Sequence, residues 1–418
     1  MTQEGMSRRD FLKRAAGSLA AGLTGALTFG TRRARAAPPD PSRVVVVRNP
    51  LAWLGGGTTN DQIDAAVARD MVDTGLRQLT GTGTLEDALR ALIPGTPSYD
   101  TAKVAIKVNV INGNLPTHQK VVSPIIDGLL AIGFQGSNIT IYGQHSDKVA
   151  SGFSNETRVA KALPTSWTST TSPIVYGSDT YNVQWAQCLD DADWQINVAV
   201  YKDHWTGDTA VTLCSKNNLG SINKSAAGFP CAGPELVPLN SHPNLSPHWI
   251  AGMGGKCVLY VIDALFGSIT GNGPGNPVDC QPQRLYFSCD PINIDYTGWN
   301  DMNNIEGVSQ PTPGHLEPGE SAGLGVRDLS KVVRIDMDDT PPDVQARSAQ
   351  LEGTVDDDSG NTPPSVTVAG SDRPVDAATG RWSSQDVTIS SNPQTIPVSA
   401  RDSSDNPVRL DVDLDISP

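Results

Sequence analysis

Three absences narrow what this 418-residue chain can be. Beyond residue 36 no stretch approaches the ~18 consecutive apolar residues of a membrane-crossing helix, so none is expected there. The six cysteines contain no C-x-x-C pair, which leaves zinc ribbons and ferredoxin-type clusters without support. The six histidines contain no H-E-x-x-H or H-x-H spacing, and the glycine run Gly271-Asn272-Gly273-Pro274-Gly275 has neither the G-x-G-x-x-G nor the Walker pattern. Positive charge is also scarce: the formal net charge is −14.

The basic residues concentrate at the start. Met1 to Arg14 is polar and basic and contains Ser7-Arg8-Arg9-Asp10-Phe11-Leu12-Lys13, a twin-arginine export pattern. Ala15 to Phe29 is a mild apolar run, too short to span a bilayer, and Ala34-Arg35-Ala36 offers small residues for cleavage before Ala37. The expectation is a signal peptide over 1–36 and export by the twin-arginine pathway to the periplasm or beyond; the alternative is an uncleaved amphipathic anchor. Residues 1–36 hold seven of the 31 Lys+Arg and two of the 45 Asp+Glu, leaving 24 basic and 43 acidic residues, net −19. That balance argues against nucleic acid or anionic lipid as the main partner, because both are held by basic surface. The even cysteine count permits disulfides in an oxidising compartment without fixing their pairing.

Composition breaks near Lys331, after which no lysine occurs. Residues 333–418 hold sixteen Asp+Glu and six Arg, with short alternating runs such as Ser365-Val366-Thr367-Val368 and Asp386-Val387-Thr388-Ile389. Period-two patterning between turn residues predicts a C-terminal all-β sandwich. Ala378-Thr379-Gly380-Arg381-Trp382 and the polar turn Asp402 to Asn406 resemble bacterial immunoglobulin-like modules, which implies an envelope partner for this segment. The larger part, 43–330, reads as α/β, a mixed or largely parallel sheet with flanking helices. Strands are expected at Val44–Val47, Val104–Val110, Asn138–Tyr142, Ile196–Val200, Cys257–Ile262 and Leu285–Ser288. Helices are expected over 61–79, capped by Thr59 or Asn60, and over Val121–Ile132.

Polar residues gather where these strands end. Lys107 and Asn109 share one face of an otherwise apolar strand, and a buried lysine is costly unless paired or functional. Tyr201-Lys202-Asp203-His204 ends another strand, and Lys216-Asn217-Asn218-Leu219-Gly220 follows. Asp263, Asp290 and Asp295 stand at or after two more strand ends. Ligands of α/β sheets collect at such ends.

These segments, in this order, resemble the domain of unknown function 362 family. Val104 to Asn109 is similar to its IKxN strand, Lys202-Asp203-His204 to its K-x-H strand end and Thr212 to Gly220 to its T…KN…G helix start. Val261 to Leu265 is similar to its vvDal strand, and Asp290-Pro291 with Asp295 to its DPvAlD motif. Residues 60–90, with Leu85-Glu86-Asp87-Ala88-Leu89, resemble the exported, twin-arginine branch. The resemblance spans roughly 43–310 and implies a fold and a site rather than a reaction. Some members carry cysteine-rich iron–sulfur inserts, which this sequence lacks, and Ile292-Asn293-Ile294 stands where smaller apolar residues are usual.

The catalytic candidates are therefore Lys107, Lys202, His204 and Lys216, and the ligand-binding candidates Asn109, Asn217, Asp263, Asp290 and Asp295. Together they would hold an anionic small molecule, a carboxylate or a phosphate, either as an enzyme or as a non-catalytic envelope binding protein; no cofactor is assigned. The competing structural account pairs each lysine with Asp203, Asp263, Asp290 or Asp295 in a buried ion network. A metal-dependent alternative would draw on His204, His242, His248 and the same acids. Asp336, Asp338, Asp339 and Asp356–Asp358 are candidate calcium ligands, and His118, His145 and His315 read as loop residues.

Overall fold

A computed structural model describes residues 40–95, 97–161, 166–204, 210–230, 233–270 and 277–337, together with the backbone of six strands between 347 and 416. The expected signal over 1–36, the glycine run 271–275 and the acids Asp338, Asp339, Asp357 and Asp358 lie outside the described residues.

Short apolar, β-branched segments supply the strands β1 (Val44–Arg48), β2 (Val104–Val108), β3 (Ile139–Tyr142) and β4 (Ala160–Lys161), and a separate hairpin of β5 (Ser172–Tyr176) and β6 (Asp179–Val183). They continue with β7 (Trp194–Asp203), β8 (Val211–Thr212), β9 (Cys257–Ser268), β10 (Arg284–Ser288) and β11 (Val332–Asp336). Nine of them form one sheet in the order β11-β1-β10-β9-β7-β2-β3-β4, with β8 paired to β7. β4, β3, β2, β7 and β9 run parallel, and β10 is antiparallel to both its neighbours. The architecture is thus α/β with a mixed, largely parallel sheet. β7 and β9 are buried along their whole length, which is why they read as near-continuous apolar runs.

One face of the sheet is a largely apolar layer. Ile106, Val108, Ile196, Val198 and Phe287 pack there under α1 (Ala65–Thr80), α2 (Leu85–Leu92) and α3 (Gln119–Ile132). α1 begins later than its apolar pattern suggests: the Asp64 carboxylate accepts the Ala66 and Val67 amides and caps it, while 60–62 form a 3₁₀ turn. The opposite face is covered by short pieces, among them α4 (Cys214–Asn217), and by α5 (Pro291–Asn304), which starts with Asp290 as cap and proline in its first turn.

The composition break near Lys331 does not coincide with the sheet's edge. β11 lies beyond it and adds to β1 in parallel, with an Arg48–Asp336 ion pair of 3.1 Å and a Met337 amide bond to the Arg48 carbonyl. Further on, Arg347–Asp356 pairs antiparallel with Arg381–Ile389 and Arg409–Ile416, and Ser365–Val368 with Ser371–Arg373 and Val398–Arg401. The five described cysteines carry no disulfide. No helix among the described residues is long and apolar enough to cross a membrane.

Candidate functional site

Strand order fixes where a ligand would find room. From β2 the chain moves outward to β3 and β4, then returns to place β7 on the other side of β2 and β9 beyond it. The connections therefore diverge between β2 and β7, and a parallel sheet opens a crevice at the carboxyl ends of such a pair. β2 stops at Val108, paired with Val198, whereas β7 runs on to Asp203. Lys202 and His204 stand on that projection.

A cavity of about 90 Å³ occupies this crevice, lined by Lys107, Asn109, Lys202, His204, Lys216 and Asn217 among others. Six of the nine candidate residues thus meet in one place. Gln144, Thr212, Gly220 and Lys224 complete its polar and small lining. No Asp or Glu lines it among the described residues. Asp203, although next to Lys202, does not line it either, because successive strand side chains point to opposite sides. Asn109 Oδ1 and Thr212 Oγ1 are buried without a hydrogen-bond partner, and each belongs to a residue only 6% exposed.

Burial sets the protonation of the lining. It pulls Lys107 down to about 7, with Cys188 pulling weakly the other way. It lowers Lys202 as well, against the upward pull of Asp203. Burial and then the neighbouring Lys216 and Lys202 bring His204 down to about 3, so its ring is neutral at pH 7. Lys216 and Lys202 disfavour the charged form of His204, as neighbouring cations do.

A buried amide network holds the site. Asn217 Oδ1 accepts from Lys107 Nζ at 3.0 Å, and Asn217 Nδ2 donates to Asn197 Oδ1 at 2.8 Å. Asn197 Nδ2 donates to the Cys214 carbonyl and to Asn218 Oδ1. Gln195 Nε2 donates to Asn218 Oδ1 and the Tyr142 hydroxyl, and Asn218 Nδ2 donates to Asn240 Oδ1. The segment 214–218 is thereby fixed to the face of β7 that carries Gln195 and Asn197. Sequence reasoning missed this network, although polar residues at 195 and 197 repeat the period-two signal of Lys107 and Asn109.

The three acids expected in the pocket lie elsewhere, each committed to backbone amides. Asp263 accepts from the His118 amide at 2.8 Å and hydrogen-bonds His118 Nδ1 at 2.8 Å. Asp290 accepts from Ile292, Asn293 and Val326, and Gly325 is required above it, because a Cβ there would fall on the carboxylate. Burial raises Asp290 to about 7 against the pull of those amides. Asp295 accepts the Cys214 and Ser215 amides at the start of α4 and meets His315 Nε2 at 3.0 Å. No ion pair joins Lys107 or Lys202 to these acids among the described residues. His118 and His315, read as loop residues, are buried partners of aspartates.

The donors of the metal alternative are scattered. His242 stacks on Trp185 at 4.3 Å, His248 Nδ1 lies 3.0 Å from the Gly255 carbonyl, and His204 stands among lysines. No three His, Cys, Asp or Glu side chains gather to hold a metal ion among the described residues. No curated protein matches the chain. The family model described as Domain of unknown function (DUF362) matches residues 104–300, from the start of β2 into α5, so the stretch that builds the pocket is a DUF362 domain.

Proposed function

We propose that the DUF362 domain binds a small carboxylate- or phosphate-bearing molecule in the crevice between β2 and β7. The observation that carries this is the lining itself: Lys107, Lys202, Lys216, Lys224 and His204 face one cavity with no carboxylate among its described residues, in a chain of net charge −14. An anion that enters would gain charge-assisted hydrogen bonds from these lysines. The unpartnered Asn109 Oδ1 and Thr212 Oγ1 would orient its polar atoms. With Lys107 brought to about 7, the pocket has a group able to give and take a proton near neutral pH.

The twin-arginine pattern of 1–36 favours the periplasm or the outside of the cell for this work, and the antiparallel pairing within 347–416 is compatible with an immunoglobulin-like module, for which we propose an envelope partner. Calorimetric titration of the full chain with inorganic phosphate and with pyruvate tests the pocket. Saturable binding at one site is expected, weakened about tenfold or more by Lys202→Gln, a loss of ~1.4 kcal/mol. Binding that survives Lys202→Gln and Lys216→Gln unchanged would place the anion elsewhere.

A further inference from the structure

One lysine of the pocket is held differently from an ordinary anion-binding cation. Lys107 Nζ donates to the Val108 carbonyl at 2.7 Å and to Asn217 Oδ1 at 3.0 Å, both neutral acceptors, and lies 5.9 Å from the centre of the Tyr142 ring. A neutral amine can satisfy both oxygens with its two N–H groups and keep its lone pair free, whereas an ammonium would hold a third N–H and a charge with no carboxylate to meet it. Gly220 lies against this nitrogen: a Cβ there would sit 2.9 Å from both Nζ and Cε. The glycine leaves open the volume beside the amine that a methyl group would fill. Burial, which brings Lys107 to about 7, keeps a large neutral fraction at neutral pH, the condition an amine nucleophile needs.

Resting on the anion pocket proposed above, we infer that Lys107 is a nucleophile whose Nζ condenses with the carbonyl carbon of an anionic ligand of the 2-oxo acid class to form an imine. The nitrogen lone pair makes the new C–N bond while the C=O π pair moves to oxygen. Both amine protons then leave with that oxygen as water, so the step needs neither oxidant nor reductant. The carboxylate of the ligand would lie among Lys202, Lys216 and Lys224, which line the same cavity.

Incubating the full chain with pyruvate at neutral pH, reducing with borohydride and mapping peptides by mass spectrometry tests this. One reduced adduct per chain is expected, at Lys107, suppressed by excess inorganic phosphate and lost in Lys107→Met. The wild-type peptide map decides even if that variant folds poorly. Pyruvate bound at one calorimetric site with Lys107 unmodified overturns the imine and leaves the anion pocket standing. If neither phosphate nor pyruvate binds and labelling spreads over exposed lysines, both proposals fall together.

Discussion

Two buried ionisable sites on opposite faces of the central sheet handle polarity in opposite ways. On the helix-covered face, Ile106, Val108, Ile196 and Val198 belong to one apolar cluster, and the ionisable pair there is closed. His118 and Asp263 hydrogen-bond each other, and the ring's second nitrogen lies 3.0 Å from the Thr58 carbonyl. Burial alone would lower the His118 pKa, but Asp263 outweighs it and the net shift is upward. On the other face Lys107 is as deeply buried, yet it meets amides and carbonyls and its pKa falls. Burial is common to both. What distinguishes a structural ion from a candidate functional one here is whether the fold supplies the counter-charge.

Mutations on each face should separate these roles. The largest effect is expected from Phe287→Ala, which empties the contact between β10 and Gly75 of α1: a loss of about 3–5 kcal/mol by urea unfolding, with phosphate affinity of the folded fraction unchanged. Asn197→Ala on the polar face should cost less, about 1–3 kcal/mol, because it strands Asn217, Asn218 and the Cys214 carbonyl rather than opening a large cavity. It should also weaken phosphate binding, since Asn217 positions Lys107; a variant that loses stability but keeps full affinity would break the link between network and pocket.

The effect smallest per step of the variable is a pH slope. An unfolded lysine titrates near its ordinary 10.5, whereas folded Lys107 titrates at about 7. Between those values the unfolded chain binds more protons, so stability should rise with pH, by at most about 1.4 kcal/mol per unit from this group. Below pH 7 both states are protonated and the cost of the buried charge is fully present. Lys107→Met should remove this rise from the difference between mutant and wild-type unfolding curves. An unchanged slope would mean that the amine is charged and paired in solution.

The sheet was legible in the sequence because its central strands are buried on both sides and so read as apolar runs at 104–110, 196–200 and 257–262. The lysines and asparagines of the pocket stood out for the same reason, as polar interruptions of such runs. Gln144 and Lys224 gave no comparable signal, since what they contribute is a place in the lining rather than pattern. Asp290 and Asp295 misled: an acid after a strand end serves equally well as a helix cap, and Asp290-Pro291 carries the cap-and-proline signature of the helix that follows. The length of that helix was hidden by its polar composition, Tyr296 to Asn304 being rich in Asn, Asp and Gly.

The last strand of the sheet has a mechanical consequence. β1 and β11 are parallel neighbours through five residue pairs, the chain enters β1 near Asp40 and leaves β11 at Asp336, and Lys331 pairs with Asp40 across the seam at 3.1 Å. A pull between residue 40 and residue 337 therefore acts along both strands from opposite ends. The ladder between them is loaded in shear, every rung at once, rather than peeled open one rung at a time. A tether that hauls on the carboxyl-terminal segment would meet the sheet in its most resistant direction, with β10 and β9 standing between β1 and the strand β7 that borders the crevice.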